Sequence, residues 1–135
     1  MTQDDLMHGV QTGQTIWHEA HAVPGRQGDA IVLALFTGNI EYASGDTASY
    51  AGFDVIHTGG ATERFTGTMT VLLEDGSVST QTFEGEETFK EGPNRVGGTG
   101  TWKIVDGTGR FAELRGGGPL KWSVDGDKWH AEFSG

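Results

Sequence analysis

The side chains best placed for chemistry in this 135-residue chain lie in and beside the stretch Thr62 to Gly76, TERFTGTMTVLLEDG. Phe65, Met69, Val71 and Leu73 alternate with Arg64, Thr66, Thr68 and Thr70, the period-2 signature of a half-buried strand. Glu63 is in phase with the apolar residues. A carboxylate in register with a buried stripe is either a rim residue paired with an Arg or a group held inside a cavity. In a cavity, lost hydration would raise its pKa from about 4.3 towards neutrality, as an acid or base catalyst requires. A second set lies in TIWHEAHAV, residues 15–23. Trp17, Glu19 and His21 share one face of that segment, and Ile16, His18 and Ala20 share the other. With Trp17 inward, Glu19 and His21 join Glu63 in a proton-transfer site; with Ile16 inward, His18 is the lumenal residue and the set dissolves. Tyr42 and His57 are weaker candidates.

Other patterns carry no chemistry. HEAH at 18–21 has only two residues between its histidines and lies in a strand pattern, unlike the helical HExxH zinc site. Histidines 8, 18, 21, 57 and 130 are dispersed, so no metal site is expected. GTGRFA at 107–112 matches a loose dinucleotide fingerprint, but the glycines at 116–118 follow too soon for the crossover helix that motif needs. Cysteine is absent, which excludes disulfides and thiolate chemistry, and there is no GxSxG nucleophile motif.

The elements that must position these residues are strands. Beyond the two segments above, alternating or apolar runs occur at Ala30–Ala43, Tyr50–His57, Val78–Phe89, Gly98–Val105, Leu120–Val124 and Trp129–Phe133. They are separated by PGRQGD, SGDT, TGGA, Asp75-Gly76, KEGPNR and Asp125-Gly126-Asp127, all turn signals. Residues 106–118 read as a turn with at most one helical turn, FAEL, and residues 1–9 as a loose terminus or a short cap. Gly38, inside the second strand, suggests a bend or bulge. Eight short strands predict a single all-β domain over 1–135, an eight-stranded antiparallel up-and-down barrel or a related sandwich. Closure also removes edge strands rich in Thr and aromatic residues. The 23 glycines and three prolines fall at turns and bends of a curved sheet.

A net charge of −10 with nine scattered Lys and Arg argues against nucleic acid and anionic membranes as partners. No apolar run approaches the ~18 residues of a spanning helix, and MTQDDLMHG does not resemble a signal peptide, so a soluble cytoplasmic protein is expected. A closed eight-stranded lumen is filled by side chains or holds one small ligand. The aromatic candidates for that lumen include Trp17, Phe36, Tyr42, Phe65, Trp102, Trp122 and Trp129, with Met69 beside them.

Three segments in order carry a family resemblance: FTGNIEYASGDTASYAG (36–52), ATERFTGTMTV (61–71) and GTGTWKIVDGTGRFAELRGGG (98–118). Together they resemble the allene oxide cyclase-like barrels, most closely the bacterial domains of unknown function in that superfamily and more distantly the dirigent proteins. The resemblance implies an eight-stranded antiparallel barrel with an apolar cavity, steering a reactive small molecule through cyclisation or isomerisation without a cofactor. Glu63, Phe65 and Trp17 match the bacterial pattern. The chain departs from it at Glu41-Tyr42-Ala43, where Glu-Gly is usual, and has no counterpart of the cysteine near the plant cyclase cavity, so catalytic assignments from those enzymes do not transfer.

The expected function is therefore a cofactor-free cyclase, isomerase or lyase acting on a hydrophobic substrate. Glu63, Glu19 and His21 would move protons, while Trp17, Tyr42, Phe65, Met69, Trp102 and Phe36 would shape the cavity. The alternatives are a non-catalytic binding barrel and a packed barrel that serves as a structural or homo-oligomeric unit.

Overall fold

The computed structural model describes residues 5–59, 63–91 and 95–135. Eight strands follow in chain order: β1 (Gly9–Ala22), β2 (Ala30–Tyr42), β3 (Thr47–Thr58), β4 (Arg64–Leu73), β5 (Val78–Glu91), β6 (Arg95–Gly107), β7 (Gly117–Asp125) and β8 (Lys128–Phe133). Each pairs antiparallel with its sequence neighbour, and β8 closes on β1, giving the up-and-down barrel that the alternation predicts. The only helical element among the described residues is a 3₁₀ turn at Gly109–Phe111, slightly ahead of the expected FAEL turn. The terminal hairpin has the predicted register, with Val124, Trp122 and Leu120 opposite Trp129, Ala131 and Phe133. Gly126 turns it with φ +68°, which favours glycine.

In β4 the odd-numbered face points inward: Met69, Val71 and Leu73 are 2, 0 and 2% exposed. The barrel is stoppered at one end. Leu6 and Phe111 are 1 and 0% exposed and pack with Ile40, Tyr42, Leu73 and Phe133. Of the two expectations for the terminus, residues 5–9 match the short cap and not the loose tail, since Leu6 is part of the plug and β1 begins at Gly9. At the same end Arg110 donates two hydrogen bonds to Asp46, at 3.0 and 2.7 Å.

Above the plug lies an aromatic layer whose rings rest on glycines. Phe65 is opposite Gly85 and Phe83 opposite Gly67 across the β4–β5 ladder. A Cβ at Gly85 would lie 2.6 Å from the Phe65 ring, and one at Gly67 would lie 2.5 Å from that of Phe83. Gly38 has the same use, and of the predicted bend or bulge the register excludes the bulge. Gly38 is paired in unbroken register with Gly13 and Tyr50. A Cβ there would sit 2.5 Å from the Tyr50 hydroxyl, which instead reaches across to donate to the Thr12 carbonyl at 2.9 Å.

The irregularity that matters falls in β1. Thr15 pairs with Phe36 and Trp17 with Leu35, so Ile16 is an extra residue in a β-bulge. Ile16 and Trp17, 58 and 47% exposed, both point outward. Beyond the bulge, inward parity passes from the odd to the even residues.

Candidate functional site

The end of the barrel opposite the plug is open among the described residues. It holds a cavity of about 440 Å³ whose walls include Val32, Ala34, Phe36, Ile56, Val96, Val124 and Trp129. Phe36 and Trp129 meet edge-to-face at 4.9 Å and bound it where the aromatic layer begins. The polar residues of the cavity are Thr15, His18, Asp54, Glu63, Glu87, Lys90, Arg95 and Asp127.

Asp54 is the distinctive group. It stands on β3 in phase with Tyr50 and Ile56, opposite Ala34 on β2 and Gly67 on β4. Its Oδ1 is buried and has no hydrogen-bond partner among the described residues. Burial pushes its carboxyl up to about 6; its own backbone N–H pulls the other way, and the negative charge of Glu63 adds to the rise. His18 pairs with Ala34, and Ala34 with Asp54, so imidazole and carboxylate flank a small side chain in one row across three strands. The spacing is set by two strand separations of about 4.8 Å each. Both side chains line the cavity, leaving the space over Ala34 for a bound molecule.

Glu63 faces the cavity as its phase with Phe65 implies, just before β4, and its backbone oxygen accepts from the Glu87 N–H at 2.8 Å. Its carboxyl is raised by burial first and by Glu87 next, with Lys90 opposing. The cation that opposes this rise is Lys90, where the rim reading had an Arg.

Glu19 and His21 do not join it. They lie outside the barrel, more than half exposed, with His21 Nε2 3.5 Å from Glu19 Oε2. Trp17 is outside as well, in an apolar row with its register neighbours Leu35 and Phe53, which are 43 and 49% exposed. The physical reason is the bulge: an extra residue turns Trp17, Glu19 and His21 out together and brings His18 in.

The remaining expected cavity residues divide by depth. Phe36 reaches the cavity. Phe65 lies in the aromatic layer beneath, 5.1 Å from Trp122 and 5.9 Å from Phe83. Met69 is packed in the core. Tyr42 and Trp102 belong to the plugged end, where both rings contact Phe133, at 5.8 and 5.3 Å, and the Trp102 indole donates to the Ser134 carbonyl. Burial raises the Tyr42 phenol well above its ordinary value, and its hydroxyl has no partner among the described residues. His57 sits outside the cavity, 3.5 Å from Asp29.

Asp54 is the residue that the sequence reading missed. The signal was present in YAGFDVIH: a carboxylate sharing a face with Tyr50, Gly52 and Ile56, the same pattern that singles out Glu63. No group of three metal-ligating side chains occurs among the described residues. Among them, too, no helix is long and apolar enough to cross a membrane. Comparisons with protein families, curated proteins and solved structures return no match.

Proposed function

We propose that the barrel binds a small, largely apolar molecule in its open end and moves a proton on it, as a cofactor-free isomerase, cyclase or lyase. The observation that carries this reading is Asp54: a carboxylate on an apolar wall, with an unpartnered oxygen and a pKa drawn towards neutrality. Enzymes shift carboxyl groups in this way to make them bases that are ionised yet strong near pH 7. In this mechanism Asp54 removes a proton from carbon next to a carbonyl, and the electron pair passes to the oxygen as an enolate. Glu63, whose carboxyl is also raised, supplies a proton to that oxygen. In a substrate with a double bond one carbon farther on, the protonated Asp54 carboxyl then gives its proton to the far carbon of the resulting dienol while the O–H proton returns to Glu63, which restores the carbonyl and both carboxyl groups and leaves the double bond shifted. The resemblance to allene oxide cyclase-like barrels in three ordered motifs supports the same class of chemistry.

Deuterium incorporation into a panel of apolar ketones in D₂O, some bearing amines, tests the proposal whatever the natural substrate is. The expected result is exchange catalysed by the native protein, rising with pH through about 6 and lost in Asp54→Asn. Ketones that bind without exchanging would overturn the catalytic reading. They would leave the non-catalytic binding barrel, which the predominantly apolar wall of Val32, Ala34, Phe36, Ile56 and Trp129 independently favours.

A further inference from the structure

The balance of charge in the cavity bears on what it holds. Asp54, Glu63, Glu87 and Asp127 face Lys90, Arg95 and His18. The two permanent cations stand near the β5–β6 connection, and Lys90 is close enough to Glu63 to oppose the rise of its pKa. Asp54 lies farther along the wall, between Ala34 and Gly67, and forms no ion pair among the described residues. The chain as a whole carries −10, so an approaching anion meets an unfavourable field and a cation a favourable one. The wall of the same cavity offers the aromatic pair Phe36 and Trp129, and aromatic faces attract cations.

We infer that the ligand is an organic cation, a protonated amine or nitrogen heterocycle on an apolar skeleton, with its nitrogen at Asp54 Oδ1 and its skeleton against Phe36, Ile56 and Trp129. The inference rests on the reading that the cavity binds a small molecule, not on Asp54 acting as a base, since a carboxylate paired with a bound cation loses the basicity that proton abstraction needs; it adds the charge of that molecule. A carboxylate buried without a partner is costly, and a cation with an N–H to donate supplies both the missing charge and the missing hydrogen bond. A neutral alcohol supplies only the second. A carboxylate ligand supplies neither and adds repulsion from Asp54 and Glu63.

The test uses three probes of nearly one shape: 2-naphthylmethylamine, 2-naphthylmethanol and 2-naphthoate. Their binding to the intact protein is measured by calorimetry at pH 8, where Asp54 is ionised and the amine protonated. The amine should bind at least about tenfold more tightly than the alcohol, as expected for one partly desolvated ion pair, and the naphthoate most weakly. Asp54→Asn should bring the amine down to the affinity of the alcohol, and Lys90→Gln, which deepens the negative field, should tighten the amine further. Naphthoate binding most tightly, or an amine–alcohol gap that survives in folded Asp54→Asn, would overturn the inference while leaving a binding cavity. Failure of all three probes to bind would overturn the inference and the binding reading together.

Discussion

Asp54→Asn should make the protein more stable at neutral pH, and the pH dependence of that gain tests the electrostatics of the site. The Asp54 carboxyl lies at 3.8 when unperturbed and at about 6 in the folded chain. The folded state therefore holds this proton more tightly than the unfolded state does. Stability from this group is complete below pH 4, falls as the pH rises through 6, and is flat above. Two units of displacement correspond to a ceiling of about 3 kcal/mol. Water entering the open mouth screens part of it, so about 1–2 kcal/mol is expected. Asparagine has no charge to desolvate. At pH 8 the variant should exceed the native protein by about 1–2 kcal/mol, or about 3–8 °C in Tm, and the advantage should vanish by pH 4. Urea titrations followed by tryptophan fluorescence at pH 4, 5, 6, 7 and 8 measure the difference directly. Effects common to both proteins cancel in it, including general repulsion from the net charge of −10 and the acid-side contribution of Asp46, which Arg110 and Ser44 pull down to about 2. A difference that stays constant across this range would refute the claim that Asp54 is held desolvated and unpaired.

Two further predictions concern the elements that build the site. Deleting Ile16 should remove the bulge and join Thr15 to Trp17 in regular alternation while His18 stays opposite Ala34; because Ile16 is exposed, the cost should be within ~1 kcal/mol by urea denaturation. An unfolded product, or loss of probe binding by a folded one, would contradict the assigned register. Gly38→Ala should cost at least ~2 kcal/mol, because the new Cβ would meet the Thr12 carbonyl oxygen at 2.1 Å and the Tyr50 hydroxyl at 2.5 Å. A neutral result would show that the glycine is not there to admit Tyr50.

Much of this molecule was legible in its sequence. Period-2 alternation and turn residues depend only on local chemistry, so they revealed eight strands, the terminal hairpin and its register, and the apolar face of β4, with Glu63 in phase with it just before the strand. The same alternation left Glu63 between the rim and the cavity; it lines the cavity because no irregularity separates it from Phe65 and Met69. The tertiary structure decided what local pattern could not. One extra residue at Ile16 inverts the parity of β1, and such a bulge leaves no mark in the alternation, so Glu19 and His21 went outside and His18 came in. Which end of the lumen is solid depends on residues distant in sequence: Leu6 and Phe111 plug one end, leaving Tyr42 and Trp102 with the core and the open cavity to Asp54. Burial, the cause of the altered Asp54 carboxyl, is a property of the closed barrel and of no single strand within it.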